Sequence, residues 1–419
     1  MYRKAAIAGI GQTEFSKGSP HTPWELALEA VLKALDDAGL DASAVDGIAR
    51  FSGPFEPVSQ AMLVRGLGIP ELRWFSEAPH GGEALGAVVG HSAAAIAAGL
   101  ASVVVVYRAL KQSGGGRFGR ADQPRSPGGV ADPGPPGRRP RGGAPPSEKT
   151  QASSEADEVM VVPEQDNRSF AWPYGLMSPG QFFALWATRY QYQYGLSDED
   201  LTLALGTVAI TQRRYANNNP AALMRERTLD WDGYRSARMI SRPLRLFDLC
   251  LENDGAVALV LTAAETARGL RDDPVFVLSA GQSLSPYREP MGTYPDDLLQ
   301  LFPPTAAGRL FQAARLRPED VSVAELYDAT SFMTMRSLES YGFVPEGQGW
   351  RYLVEQGIGP HSPLPVNTHG GHLSEGYLHG MNGVLEAVRQ LRGTACNQVP
   401  GAEVALVGAP AGSAVILGR

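Results

Sequence analysis

The sequence predicts an α/β protein built from two copies of one unit, and three observations carry that prediction. Apolar runs of strand length alternate with amphipathic stretches of helix length through both halves of the chain. Gly39-Leu40-Asp41-Ala42-Ser43-Ala44-Val45-Asp46 and Arg315-Leu316-Arg317-Pro318-Glu319-Asp320-Val321-Ser322 hold the same place, after a helix and before a strand. Late in each half a helix again leads into buried strands. Such a repeat implies duplication, with a site at the seam between the copies.

The elements follow in order. Ala5 to Ile10 is an apolar strand, and Thr22 with Pro23 reads as an N-cap with proline at the first helical position. That helix carries Leu26, Ala30, Val31 and Leu35 on one face and closes at Ala38-Gly39. Glu83 to Gly99 is a small-residue helix leading into the strand Ser102 to Tyr107. In the second half, the strand Val275 to Ser279 precedes a helix near Thr305 to Ala314. The helix Val384 to Arg392, with Gly393 as its C′ residue, precedes strands at Val404 to Val407 and Ser413 to Leu417.

Composition narrows the class. The 419 residues are 43% apolar and 19% charged, an ordinary globular balance, and the net charge of −7 argues against non-specific nucleic-acid binding. Only Cys250 and Cys396 are present, which excludes a disulfide framework and an all-cysteine metal site and suits a reducing cytoplasm. Gln12-Thr13-Glu14 interrupts the first apolar run, so it reads as a strand and not a signal peptide. No apolar stretch approaches membrane-spanning length.

Two segments break the repeat. Gly114 to Pro146 is dense in Gly, Pro and Arg and is expected to be a disordered insertion. Phe170 to Leu244 is mostly helical and aromatic, suited to capping the site or to forming a core of its own. The expected division is therefore 1–113 for the first half, 114–146 for the insertion and 147–244 for the cap. The last strands of the first half take 245–265, and the second half 266–419.

Chemistry is expected in the run from Asn367 to Gly383. Four of the seven histidines fall between His361 and His379, among glycines that let backbone approach a ligand. A glycine-dense loop feeding a helix N-terminus favours an anion or an enolate-like oxygen. A metal site built from His369, His372 and His379 is disfavoured, because spacings of three and seven in such a loop lack a matching carboxylate pattern.

The repeat, Asp254-Gly255-Ala256-Val257-Ala258 and the Asn367-to-Gly393 stretch together resemble the thiolase superfamily. That resemblance implies a thiolase fold: duplicated βαβαβαββ halves in a five-layered αβαβα arrangement, with an inserted, mostly helical loop domain. Where most thiolases have Gly-His-Pro, this chain has Gly376-Tyr377-Leu378. Where the sterol-carrier-type thiolases have His-Asp-Cys/Ala-Phe, it has Glu325-Leu326-Tyr327-Asp328-Ala329-Thr330. The cysteines expected at Gly81-Gly82-Glu83-Ala84 and near Val407-Gly408 are absent.

This pattern is similar to the bacterial steroid side-chain aldolases of the superfamily, often labelled lipid-transfer proteins. Their motifs read Tyr-Asp-His-Phe-Thr and Asn-Thr-His-Gly-Gly…Tyr-Ile-His-Gly-Met-Asn-Gly. Ala329-Thr330 depart from the first of these. The resemblance implies retro-aldol cleavage of a β-hydroxyacyl-CoA, a hydroxylated steroid side-chain thioester, to a ring ketone and a short acyl-CoA such as propionyl-CoA. It also implies a homodimer and a small partner with an OB-fold and a zinc ribbon, together a heterotetramer. No intrinsic cofactor is expected; the CoA thioester is the substrate.

Retro-aldol cleavage needs a base for the hydroxyl proton, stabilisation of the thioester enolate and an acid for its carbon. Tyr327 is assigned the hydroxyl proton and Tyr377 the enolate, and the reverse assignment is open on sequence alone. A phenol ordinarily titrates at about 10, so neighbours have to tune one of them. Asp328 and His379 are expected to orient protons, and Gly81, Gly82, His369, His372 and Gly408 to bind substrate or its oxyanion. Two other functions remain open: a thiolase using a displaced cysteine, or a non-catalytic acyl-CoA or lipid-binding subunit.

Overall fold

Thr22 begins the first helix with a reciprocal cap. Its hydroxyl accepts from Glu25 N–H at 3.2 Å, and the Glu25 carboxylate accepts from Thr22 N–H at 2.7 Å. The computed structural model describes residues 2–52, 57–78, 84–113, 171–176, 178–283, 297, 305–409 and 413–419. The Gly/Pro/Arg-rich insertion at 114–146 lies outside the described residues.

The first half comprises β1 (Ala5–Gln12), α1 (Pro23–Ala38), β2 (Gly47–Phe51), α2 (Gln60–Leu67), β3 (Trp74–Ala78), α3 (Leu85–Ala97) and β4 (Val103–Lys111). Next come α4 (Pro179–Tyr194), α5 (Asp198–Asn218), α6 (Trp231–Ser236) and the ribbon β5 (Met239–Ser241) and β6 (Leu244–Arg245). The chain then returns through β7 (Asp254–Ala263) and α7 (Ala264–Leu270). The second half begins with β8 (Val275–Gly281), α8 (Thr305–Ala314), β9 (Val323–Leu326), α9 (Ser331–Ser340) and α10 (Gly349–Glu355). It ends with α11 (Gly371–Ser374), α12 (Met381–Arg392), β10 (Val404–Gly408) and β11 (Ala414–Gly418).

Duplication is visible in the pairing. In the first half β7 lies between β1 and β4, antiparallel to both, and β2 and β3 follow β4 in parallel. In the second half β11 lies between β8 and β10, antiparallel to both, and β9 follows β10 in parallel. The counterpart of β3 is reduced to one bridge between Val366 and Ala324. The halves join where β1 and β8 pair antiparallel at Ala6–Phe276 and Ile7–Val275, giving one nine-stranded sheet.

Alternation along the strands produces the layers. Ile7, Val104, Val106, Val277, Val407 and Val415 share an inner cluster with Leu85 and Val88 of α3 and Leu385 and Val388 of α12. Ala6, Val105, Leu278, Leu406 and Ile416 face the opposite way, toward a cluster that includes α1 and α8. The succession is therefore α1, first half-sheet, α3 with α12, second half-sheet, α8: five layers. Helix α3 is buried on nearly all sides, as its small and largely apolar composition requires.

Candidate active site

Tyr327 stands where β9 ends, its N–H donating to the Gly408 carbonyl of β10 at 2.8 Å. Asn367, at φ 54°, extends this edge with its side chain. Its Oδ1 accepts from Leu326 N–H at 2.6 Å, and its Nδ2 donates to the Leu326 carbonyl at 2.9 Å. Tyr377 comes from the glycine loop, its N–H held by Asn253 Oδ1 at 2.6 Å. The two phenolic oxygens meet at 2.8 Å. Tyr327 is half-buried and Tyr377 buried.

The rings of His372 and His379 complete an aromatic cluster. His372 lies edge-on to both tyrosines, with centroids 5.0 Å from Tyr327 and 5.2 Å from Tyr377, and His379 lies 4.7 Å from Tyr377. Burial pushes the Tyr377 phenol well above its ordinary value, and the Tyr327 hydroxyl beside it adds to the effect. Burial, then the charge of Arg108, hold His379 well below the usual histidine range, so its imidazole is neutral.

The Asp328 side chain occupies the N-terminus of the short helix α11: Oδ1 accepts from His372 N–H at 3.0 Å and Oδ2 from Leu373 N–H at 3.3 Å. The same carboxylate lies 2.9 Å from His372 Nδ1, while Gly380 N–H donates to His372 Nε2 at 3.0 Å. Gly371, at φ 62°, is required here because a Cβ would drive into Asp328 Oδ2. Asp328 thus ties the end of β9 to the glycine loop and orients His372 against the tyrosines.

His369 is placed beneath the loop, away from the tyrosine rings. Its Nδ1 is 2.9 Å from Glu325 Oε2, a charge contact without hydrogen-bond alignment, and its Nε2 is 3.7 Å from Glu375 Oε2. Burial alone would lower this imidazole, but Glu375 and then Glu325 outweigh it and push it up to about 10. Glu325 is pushed up to about 7 by burial, partly offset by His369. Asn219, just beyond α5, donates to the His369 carbonyl at 2.9 Å and to Glu375 Oε1 at 3.0 Å, so the end of α5 grips the same loop. His369, His372 and His379 therefore each answer to a different partner.

Gly408 lacks a side chain because the Tyr341 hydroxyl occupies that space, and it acts on the site through the carbonyl that holds Tyr327. Gly81 and Gly82 lie outside the described residues. Cys250 is half-buried at the site wall, its N–H donating to the Ala329 carbonyl at 3.0 Å. Burial, then Asp328 and Glu252, push its thiol up to about 12, the wrong direction for a nucleophilic thiolate. Cys396 is exposed and its thiol is also raised by burial.

Sequence reasoning missed Arg108 and Asn253. Arg108 is buried on β4, its Nε donating to His379 Nδ1 at 3.1 Å. The signal was present: a lone arginine inside the apolar run Val103 to Leu110. Asn253 precedes the Asp254-Gly255 strand and carried no separate mark.

A profile described as "Thiolase C-terminal domain-like" matches residues 293–416. The chain is 39% identical over 420 residues to the 17-hydroxy-3-oxo-4-pregnene-20-carboxyl-CoA lyase of Mycobacterium tuberculosis, covering 99% of both chains. It is 37% identical over 422 residues to the steroid side-chain-cleaving aldolase of Thermomonospora curvata, covering 99% of this chain and 97% of that one. Among solved structures, the "Ltp2-ChsH2(DUF35) aldolase" superposes with a TM-score of 0.83 at 34% identity, covering 100% of this chain and 98% of that one.

Proposed function

This chain belongs to the steroid side-chain-cleaving aldolases of the thiolase superfamily, and from that premise we propose that it is a carbon–carbon lyase cleaving a β-hydroxyacyl-CoA by a retro-aldol step. The substrate class is a hydroxylated steroid side-chain CoA thioester, and the products are a ring ketone and a short acyl-CoA such as propionyl-CoA. The observation that carries the reading is the 2.8 Å contact between the Tyr327 and Tyr377 hydroxyls.

The chemistry balances on that pair. Tyr327, as phenolate, takes the β-hydroxyl proton; the Cα–Cβ bond breaks as the ring carbonyl forms, and the electron pair passes into the thioester enolate. Tyr377 then gives a proton to the enolate carbon and recovers one from Tyr327 across their hydrogen bond. No proton need be exchanged with solvent, and no covalent intermediate forms. The raised phenol of Tyr377 supports the acid role, and the greater exposure of Tyr327 supports the base role. His379, neutral and buried beside Tyr377, is suited to donate a hydrogen bond to the enolate oxygen.

The assembly is read as a homodimer working with a small OB-fold and zinc-ribbon partner as a heterotetramer. Strand β3 closes one end of the sheet with no further strand among the described residues, and Phe75 on it is 65% exposed, which supports pairing with a second copy. The two-component name of the solved aldolase supports the second protein. Among the described residues no helix is long and apolar enough to cross a membrane, and the two unpaired cysteines support a cytoplasmic setting.

The test is product analysis by mass after incubation with β-hydroxyacyl-CoA thioesters, with and without such a partner. Ketone and short acyl-CoA in equal amounts, with no free CoA consumed, is the expected result. Thiolytic products, or turnover by the Tyr377→Phe protein equal to that of the unaltered protein, would overturn it.

A further inference from the structure

Strand β4 runs apolar from Val103 to Tyr107 and then sets a guanidinium in the interior, where Arg108 is 2% exposed. A buried cation is costly unless its partners satisfy it, so those partners bear on its purpose. Arg108 Nε donates to His379 Nδ1 at 3.1 Å, and Nη2 approaches the same nitrogen at 2.6 Å. The guanidinium carbon also lies 5.3 Å from the centroid of the Phe51 ring, a cation–π contact. An arginine has only donors to offer, so His379 Nδ1 presents its lone pair and a neutral ring carries its proton on Nε2. The His379 backbone is held at φ 52°, an uncommon conformation for a residue with a Cβ.

On the reading that the tyrosine pair performs the cleavage, we propose that Arg108 is a positioning residue: it fixes His379 as a neutral Nε2–H donor and supplies the positive charge against which the tyrosine pair becomes anionic. The titratable neighbours of the pair come from every side. Arg108 faces it from β4, Cys250 from the segment before β7, Asp328 from the end of β9, His372 from α11 and His379 from the loop before α12. Of these, the Asp328 carboxylate opposes a phenolate, and the Cys250 thiol, pushed up to about 12, is uncharged at neutral pH. Burial pulls the guanidinium down to about 9, which still leaves it charged at neutral pH. Its proximity works against the upward push on Tyr377. The direction is fixed by Coulomb's law: removing a cation beside a phenol raises the phenol.

The experiment uses the full-length protein, with its partner where turnover requires one. Nuclear magnetic resonance of ring-nitrogen-labelled histidine, with the His379 signal identified by its loss in His379→Gln, reads the tautomer directly. A neutral ring with an unprotonated Nδ1 at about pH 6 is expected, below the usual histidine value. Arg108→Met should lower kcat on the order of 10²-fold and move the acid limb of kcat/KM to higher pH by about one unit. Arg108→Lys should restore most of the limb and part of the turnover. A protonated or Nδ1–H ring in the unaltered protein, or a folded Arg108→Met protein with an unshifted limb, would overturn the proposal. If Arg108→Met does not fold, the tautomer and the Arg108→Lys profile decide. Failure of the unaltered protein to cleave any β-hydroxyacyl-CoA would instead remove the aldolase reading, which the tautomer measurement does not touch.

Discussion

Tyr327 and Tyr377, fifty residues apart in sequence, share one hydrogen bond of 2.8 Å between their hydroxyls. One comes from a strand end and the other from a glycine loop, so the pair exists only when the two are locked together. Asp328 does this by accepting from the backbone of His372 and Leu373. If the two phenols pass a proton between them, they act as one device. Tyr327→Phe and Tyr377→Phe should then each lower kcat by about 10²–10⁴-fold. The double variant should be scarcely worse than the weaker single one, as expected for groups that work as a unit. Steady-state kinetics on the three proteins, with circular dichroism to confirm folding, checks this; multiplicative losses would separate the two roles.

Cys250 lies close enough to Tyr377 for the two to interact electrostatically, yet its thiol is pushed up to about 12. A thiol held protonated at neutral pH is a poor nucleophile. Cys250→Ala and Cys396→Ala should therefore keep carbon–carbon cleavage within a few-fold of the unaltered protein, and iodoacetamide at neutral pH should leave turnover intact. Abolished cleavage in Cys250→Ala, with the fold retained, would return the chemistry to sulfur.

Much of this was legible in the residues. Thr22, Pro23 and Gly39 mark the bounds of α1, because caps are local chemistry. The strand cores were readable from their apolar runs, and Tyr327 and Tyr377 from the motif positions they fill. What was not legible depends on contacts across the chain. The strand read as ending at Tyr107 continues to Lys111, which buries Arg108 and brings it to His379, 271 residues away. His369 looked like a ligand-facing group because its partners, Glu325 and Glu375, meet it only in the fold.

Gly371 shows how little tolerance the loop has. Its φ of 62° disfavours any residue with a Cβ, and the added atom would collide with Asp328 Oδ2 and with the Gln212 amide. Gly371→Ala is expected to cost about 2–4 kcal/mol, from backbone strain and from overpacking. It should also lower kcat, since moving Asp328 releases His372 from the tyrosine rings. Chemical denaturation paired with turnover measures both. A protein with full stability and full activity would show that the loop adjusts freely.

The ion pairs under the loop predict how stability depends on pH. His369 is pushed up to about 10 in the folded chain, from an ordinary value of about 6.5. A histidine raised on folding contributes stability that is complete below about pH 6.5 and is lost as pH climbs toward 10. Glu325, raised by burial to about 7 from an ordinary value near 4.5, acts in the same sense at lower pH. Its contribution is complete below about 4.5 and is lost as pH rises through about 7. Both groups therefore make the folded chain less stable on the alkaline side. His369→Gln removes the upper titration, so its stability should be lower near neutrality and fall less steeply between about pH 6.5 and 10 than that of the unaltered protein. Urea midpoints across that range measure the difference. Parallel curves would mean that the imidazolium contributes nothing between Glu325 and Glu375.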